Sequence, residues 1–226
     1  MSVEENFRTV EDRIAAACQR AGRDPSEVLI VVVTKTVDAA FVRDELLPLG
    51  IRDIGENRVS QAAEKAEQLA ATPDIHLHMI GHLQRRKARK AVELCSMIHS
   101  IDSLRLAERV SAAAAEQGKE MPVLMEVNVS GEESKYGFSP DDARESAPRA
   151  ASLPGIRLEG LMTMAPFGAD ESVLRPVFAG LRDLAADISA QHHIPLPDLS
   201  MGMSQGYEIA IEEGATIVRI GTAIVG

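Results

Sequence analysis

The stretch VLIVVVTKTV at residues 28–37 constrains the fold more than any other. Its six apolar residues run unbroken and are mostly β-branched, which reads as a strand covered on both faces. Segments of this kind recur along the chain: IRDIGEN (51–57), HLHMIGH (76–82), SMIHSID (96–102), PVLMEVNVS (122–130), IRLEGLMTM (156–164), DLSMGMS (198–204) and ATIVRIG (215–221). Helical spacing fills the intervals. A helix opens the chain over residues 3–22, with Val3, Phe7, Val10, Ile14, Ala17 and Cys18 on one face and Gly22 as its cap. Asp38 begins a second helical segment that ends near Pro48 and Gly50. Ser103 caps a later one, with Leu106, Val110, Ala113 and Ala114 on its inner face. Val177, Phe178, Leu181, Leu184 and Ile188 mark another, with Pro176 near its first turns or at a kink.

Eight strands with seven intervening helices imply parallel pairing through right-handed crossovers. The expected fold is α/β: a single TIM-type (β/α)8 barrel of parallel strands with an extra N-terminal helix, one domain over residues 1–226. A doubly wound sheet is the alternative. It calls for a glycine-rich dinucleotide turn after the first strand, and VVVTKTVDA has no glycine there. The last strand ends almost at the C-terminus, so a closing helix after it is expected to be missing. Aromatics make up 3% of residues and tryptophan is absent, so the core is aliphatic.

Lys35 is the anomaly in the first strand. Strand C-termini point to the functional mouth of such barrels, and apolar neighbours there disfavour a charged amine. A neutral amine attacks carbonyls. The other reading is a strand-ending lysine that snorkels to solvent. Two further strand ends bear on the choice. Ser204 stands where the seventh strand enters its helix, so it can cap that helix and help bind an anion. Gly221 and Thr222 follow the eighth strand, where close backbone approach and a hydroxyl suit a phosphate. Lys35 with both loops makes a phosphorylated aldehyde a coherent ligand.

Charge excludes some partners. With 34 acidic and 24 basic residues the net charge is -10, which argues against nucleic acid. The run QRRKARK (84–90) reads as a solvated helix face. Cys18 and Cys95 form no metal or redox motif and suit a reducing cytosol. The charged N-terminus has no apolar signal core, and no run reaches a membrane span, so a cytoplasmic protein without membrane contact is expected. His76 and His78 share a strand face with His82, spacing that zinc could use, but no carboxylate or cysteine cluster joins them and no metal is expected. In the loop SGEESKYGF (130–138), Lys135 could attract an anionic ligand or form a secondary anion site, or simply be solvated.

Taken together, VTKTV (33–37), IGEN (54–57), IGHLQ (80–84), SMGMS (200–204) and VRIGTAIVG (218–226) resemble the pyridoxal-phosphate homeostasis proteins, the YggS/PROSC family. The resemblance runs in order from about residue 5 to the end. It implies a barrel similar to the N-terminal domain of alanine racemase, binding pyridoxal 5'-phosphate (PLP) as a Schiff base on Lys35. It implies phosphate contacts from Ser204, Gly221 and Thr222, with Asn57 near the cofactor ring and His82 at the mouth. It sets Arg219 against the pyridine nitrogen. A guanidinium only donates hydrogen bonds, so that nitrogen stays unprotonated and the ring is a weaker electron sink; an arginine paired with a nearby acid is the other reading. The implied role is intracellular storage, delivery or buffering of PLP, with PLP-dependent apoenzymes as possible recipients. A monomer without catalysis is expected. Weak amino-acid racemisation is the first alternative: it needs a second base, and the only tyrosines are Tyr136 and Tyr207. A barrel holding another phosphorylated metabolite, with Lys35 free, is the second.

Overall fold

The computed structural model describes residues 2–72, 74–132 and 136–226. Strands β1 (Leu29–Val33), β2 (Asp53–Glu56), β3 (His76–Met79), β4 (Met97–Ile101), β5 (Met121–Glu126), β6 (Ile156–Met162), β7 (Asp198–Ser200) and β8 (Ile217–Ile220) close into a barrel in chain order. Every neighbouring pair is parallel. The ring closes between β1 and β8, where Leu29 through Val32 register on Ile217 through Ile220. The barrel expected from the alternation is the fold observed, and the doubly wound alternative is not.

Strand parity divides the core. Alternate residues face opposite sides of a strand. Val31, Leu124, Met162 and Ile217 form one small buried cluster inside the barrel. Val32, Ile54, Met79, Ile98 and their outward-facing counterparts pack under the helices in a second, larger cluster. The inner residues of β2, β3, β4 and β7 are different: Asp53, His78, His99 and Ser200 are polar and joined by hydrogen bonds. The barrel interior therefore holds both an apolar cluster and a set of hydrogen-bonded polar side chains.

Helices α1 (Val3–Ala21), α2 (Ala39–Phe41), α3 (Val59–Gln68), α4 (Ala88–Leu94), α5 (Leu104–Glu116), α6 (Pro140–Ala151), α7 (Glu171–His192), α8 (Tyr207–Glu212) and α9 (Thr222–Val225) surround it. Ser103 and Ser139 accept the backbone N–H groups of Leu106 and Asp142, capping α5 and α6. The segment expected as one helix from Asp38 to Gly50 is not uniform. After α2 it passes through a π turn (Val42–Leu46) and a 3-10 turn (Leu47–Leu49). Pro48 has no N–H to give the carbonyl of Asp44, and the ladder slips by one residue, with Leu47 bonding back to Val42.

The chain end also departs from expectation. A short helix, α9, does follow β8. The place of a longer one is filled from the other terminus. Helix α1 buries Val10, Ile14, Ala17 and Cys18 and lies against α8 and α9. Asn6 donates to Ile224 O at 3.2 Å. Arg20 pairs with Glu212 at 2.7 Å, and Arg23 donates to the carbonyls of Ile211 and Ala215. The N-terminal helix therefore completes the outer ring. No helix among the described residues is long and apolar enough to cross a membrane.

One buried ion pair lies behind the end of β1. Lys65 of α3, only 4% exposed, donates to the carboxylate of fully buried Glu56 and to Thr34 O at 2.7 Å. Thr34 Oγ1 also donates to Glu56 at 2.6 Å. Removing one member of such a pair strands a buried charge. Lys65→Met should destabilise the protein by about 3–5 kcal/mol in urea unfolding. Adding Glu56→Gln to it should recover part of that loss.

Candidate functional site at the barrel mouth

The C-terminal ends of the strands bring the sequence-flagged residues to one end of the barrel. Lys35 lies two residues beyond β1, not at its end as the sequence suggested. The chain leaves the sheet at Thr34, because Val37 N–H turns back to Thr34 O at 3.1 Å. Lys35 shares inward parity with Val31 and Val33, yet it is exposed, so the expected desolvation of its amine is absent. Its carbonyl accepts Gln61 Nε2 at 3.1 Å. Its amine has no hydrogen bond or ion pair among the described residues.

Ser204, Gly221 and Thr222 do converge. Ser204 was expected to cap the helix after β7, and it does not. A turn at Ser204 and Gln205 sets Gly206, at φ 102°, before α8, so Ser204 lies too early to cap it. Its hydroxyl instead accepts the backbone N–H groups of Gly221 and Ala223, each at 3.3 Å. Two N–H groups and a hydroxyl thus meet at one point beside Thr222. Gly202 allows this path. At φ 91° it takes a left-handed conformation, and a Cβ there would stand 2.7 Å from that of Ala210.

Asn57 and His82 line one shallow depression after β2 and β3. Gly81 makes it possible, since a Cβ at that position would lie 2.5 Å from Asn57 O. His82 Nδ1 is 3.0 Å from Asp102 Oδ2, and its ring stacks on Tyr136 with centroids 3.9 Å apart. Arg85, Arg86 and Arg105 line the adjoining groove, so part of the basic run borders the mouth. Tyr136 is 59% exposed there. Tyr207 faces the other way: it is 1% exposed, with Arg13 of α1 at 5.7 Å over its ring. Lys135 lies outside the described residues.

Arg219 sits deeper, 3% exposed. Nη1 donates to Ser200 Oγ at 2.5 Å and Nη2 to Thr163 O at 2.8 Å. Burial lowers its pKa to about 10, with the charge of Glu126 acting against the shift, so it remains a cation at neutral pH. His76 and His78 do share a face, but the side chain they share is Asp53, whose Oδ1 is 3.1 and 3.0 Å from their ring nitrogens. Among the described residues, no group of three or more His, Cys, Asp or Glu side chains could hold a metal ion.

Sequence reasoning passed over Glu126. It ends β5 on the inner face, 8% exposed, and its Oε2 has no hydrogen-bond partner among the described residues. Burial first, then the negative charge of Asp102, raises its pKa to about 7, against the pull of Arg219. The signal was the one that flagged Lys35: a charged residue closing an apolar run, here VLMEV (123–127). His99 and Ser200 were passed over for a milder reason, since polar residues of their size are common in strands.

The chain is similar to known proteins over nearly its whole length. The family described as "Alanine racemase, N-terminal domain" matches residues 6–226. The chain is 39% identical over 226 residues to the pyridoxal phosphate homeostasis protein of Aquifex aeolicus, covering 100% of this chain and 98% of that one. It is 42% identical over 225 residues to the protein of that name from Pseudomonas aeruginosa, covering 100% and 95%. The solved structure of PipY from Synechococcus elongatus with PLP bound superposes at a TM-score of 0.84, with 36% identity over 96% of this chain and 100% of that one.

The raised pKa of Glu126 carries a sign for stability. The folded state holds its proton up to about pH 7, the unfolded chain only to the ordinary glutamate value. Stability from this group is therefore full below the unfolded pKa and is lost as pH rises through about 7. The loss is on the order of 3 kcal/mol by pH 8. Glu126→Gln should abolish that fall, so urea unfolding of variant and wild type should diverge between pH 5 and 8, with the variant the more stable at the upper end.

Proposed function

The chain belongs to the alanine racemase N-terminal domain family and, within it, to the pyridoxal phosphate homeostasis proteins, and from that premise we propose that it binds PLP through Lys35 as a Schiff base. Its role is storage, delivery or buffering of PLP inside the cell, with PLP-dependent apoenzymes as recipients and without catalysis of its own. The observation that carries this reading is the meeting of the Gly221 and Ala223 N–H groups on Ser204 Oγ, at the end of the strand beside β1.

The residues present fit the group. Paired backbone N–H groups and a hydroxyl are suited to phosphate oxygens, and the Ser204 hydroxyl now occupies the point where one such oxygen would go. A Cβ on Gly221 would contact Val33 at 3.3 Å, so the cradle lies directly against β1. Lys35 is two residues further along, at most about 7 Å of chain, within the span of one small phosphorylated aldehyde. Bound, PLP supplies an aldehyde that condenses with an amine, losing water, and a ring that withdraws electrons. Lys35 supplies the nucleophile, and its exposed position leaves the amine accessible. Arg219 offers its uncommitted N–H groups to the ring nitrogen, while Asn57 and His82 border the ring from β2 and β3.

Two features favour holding the cofactor over using it. Arg219 can only donate, which leaves the ring nitrogen unprotonated. Tyr207, one candidate for a base on the opposite face, is buried beneath α1. The second reading, a weak racemase, draws on Tyr136, whose ring is exposed and stacked on His82 at the rim.

Borohydride reduction of PLP-loaded protein should fix one pyridoxyl group on the peptide carrying Lys35, and Lys35→Ala should take none. A label on another lysine, or none in wild type, contradicts the assignment. Deuterium incorporation into L-alanine or other amino acids in heavy water should stay at the rate of free PLP. An enzyme-like rate that Tyr136→Phe abolishes would establish the racemase reading instead.

A further inference from the structure

A line of hydrogen bonds crosses the barrel interior from one wall to the other. Arg219 Nη1 lies 2.5 Å from Ser200 Oγ. Ser200 Oγ is 2.9 Å from His99 Nδ1, and His99 Nε2 is 2.9 Å from His78 Nδ1. His78 Nε2 is 3.0 Å from Asp53 Oδ1. Ser200 and His99 are fully buried, and His78 and Arg219 are 3% exposed. None of the four residues beyond Arg219 has a part in the function proposed above.

The direction of the line follows from which groups can donate. A guanidinium has no acceptor, so Arg219 donates to Ser200 Oγ. Ser200 Oγ has no other acceptor among the described residues, so its hydrogen goes to His99 Nδ1, which receives it as a lone pair. His99 accordingly carries its proton on Nε2 and donates to His78 Nδ1. By the same step His78 carries its proton on Nε2 and donates to Asp53. Every link is satisfied by one assignment of protons, both imidazoles are neutral, and a cation and a carboxylate terminate the line. A second proton on His99 would set two donors against each other. Burial, and then the neighbouring His78 and Arg219, hold His99 well below its ordinary pKa. Burial disfavours a charged Asp53, but its contacts with His78 and His76 together outweigh this and its pKa is lowered. His76, at 3.1 Å, is a second donor to the same carboxylate, and Asp198 of β7 adds its negative charge near His78.

We propose that Asp53, His78, His99 and Ser200 are positioning residues, forming a one-way relay that locks the Arg219 guanidinium against rotation with its free N–H groups turned to the mouth. Thr163 O holds the other Nη, so the group is gripped from two sides. Its use for ligand rests on the reading that Arg219 meets the ring nitrogen of PLP; the lock itself does not. An unlocked guanidinium would sample several rotamers and lose that freedom on each binding event. The relay spares the ligand that cost, and it explains why ionisable side chains are kept inside a barrel that aliphatic ones could fill.

The test has a ligand-free arm and a loaded arm. In ¹⁵N-histidine-labelled protein without PLP, His78 and His99 should both be neutral with the proton on Nε2 from pH 6 to 8. In ¹⁵N-arginine-labelled protein the two Nη signals of Arg219 should be separate, as for hindered rotation. Asp53→Ala, far from the mouth, should merge them, and Asp53→Asn should restore the separation, because an amide oxygen still accepts from His78. Nη signals unchanged in a folded Asp53→Ala protein, or an Nδ1 proton on His99, would overturn the relay. In the loaded arm, Asp53→Ala should weaken PLP binding about tenfold, the worth of roughly one buried hydrogen bond, and shift the visible absorption band, with Asp53→Asn close to wild type. Should wild type fail to bind PLP, the functional reading falls while the ligand-free arm still decides the relay.

Discussion

The pairing of β1 with β8 is the contact on which the remaining geometry depends. Its four registered residue pairs turn a twisted sheet into a ring. The first and last strands of the chain thereby become neighbours, and Gly221, nearly the whole sequence away, ends against Val33, two residues before Lys35. Neither residue alone is informative. A lysine after a strand is commonplace, as is a glycine before a short helix. Closure makes them one site. It also needs the N-terminal helix, since α1 covers α8 and α9 where the ring would otherwise lie open. The ion pair of Lys65 and Glu56 steadies the same region by fixing Thr34, from which the Lys35 turn begins.

Much of the fold was legible because period and length speak for themselves in a parallel barrel. Strands covered on both faces are apolar in long runs, so VLIVVV stands out from amphipathic helices without any tertiary information. What could not be read is where the chain leaves each strand. Lys35 was expected in β1, but its turn is set by Val37 bonding Thr34 and by Lys65, thirty residues on, bonding the same carbonyl. Ser204 looked like a helix cap because it precedes a helix. The turn before Gly206 shifts that helix by two residues, and the hydroxyl finds partners after β8 instead.

The site was legible in the same uneven way. Residues that interrupt an apolar run, such as Lys35, and glycines followed by hydroxyls, such as Gly221 and Thr222, carry a local signal. His99, Ser200 and Asp53 carry none, because each is ordinary in its own strand. Only the register of four strands reveals them as one line. His76 and His78 were weighed as metal ligands from spacing alone, and the side chain that both meet, Asp53, lies on the neighbouring strand. A barrel interior of this composition costs stability relative to an aliphatic one. Glu126, with its raised pKa, lies at the end where a charged ligand would enter.

The central claim is that closure brings an amine and an anion cradle within reach of a single molecule. A crystal structure of this protein grown with PLP tests it most directly. The predicted result is continuous density from Lys35 Nζ to the cofactor carbon, with phosphate oxygens on Ser204 Oγ and on the N–H groups of Gly221 and Ala223. Phosphate bound elsewhere on the barrel, or Lys35 Nζ unmodified with the Ser204 hydroxyl still holding both N–H groups, would contradict it.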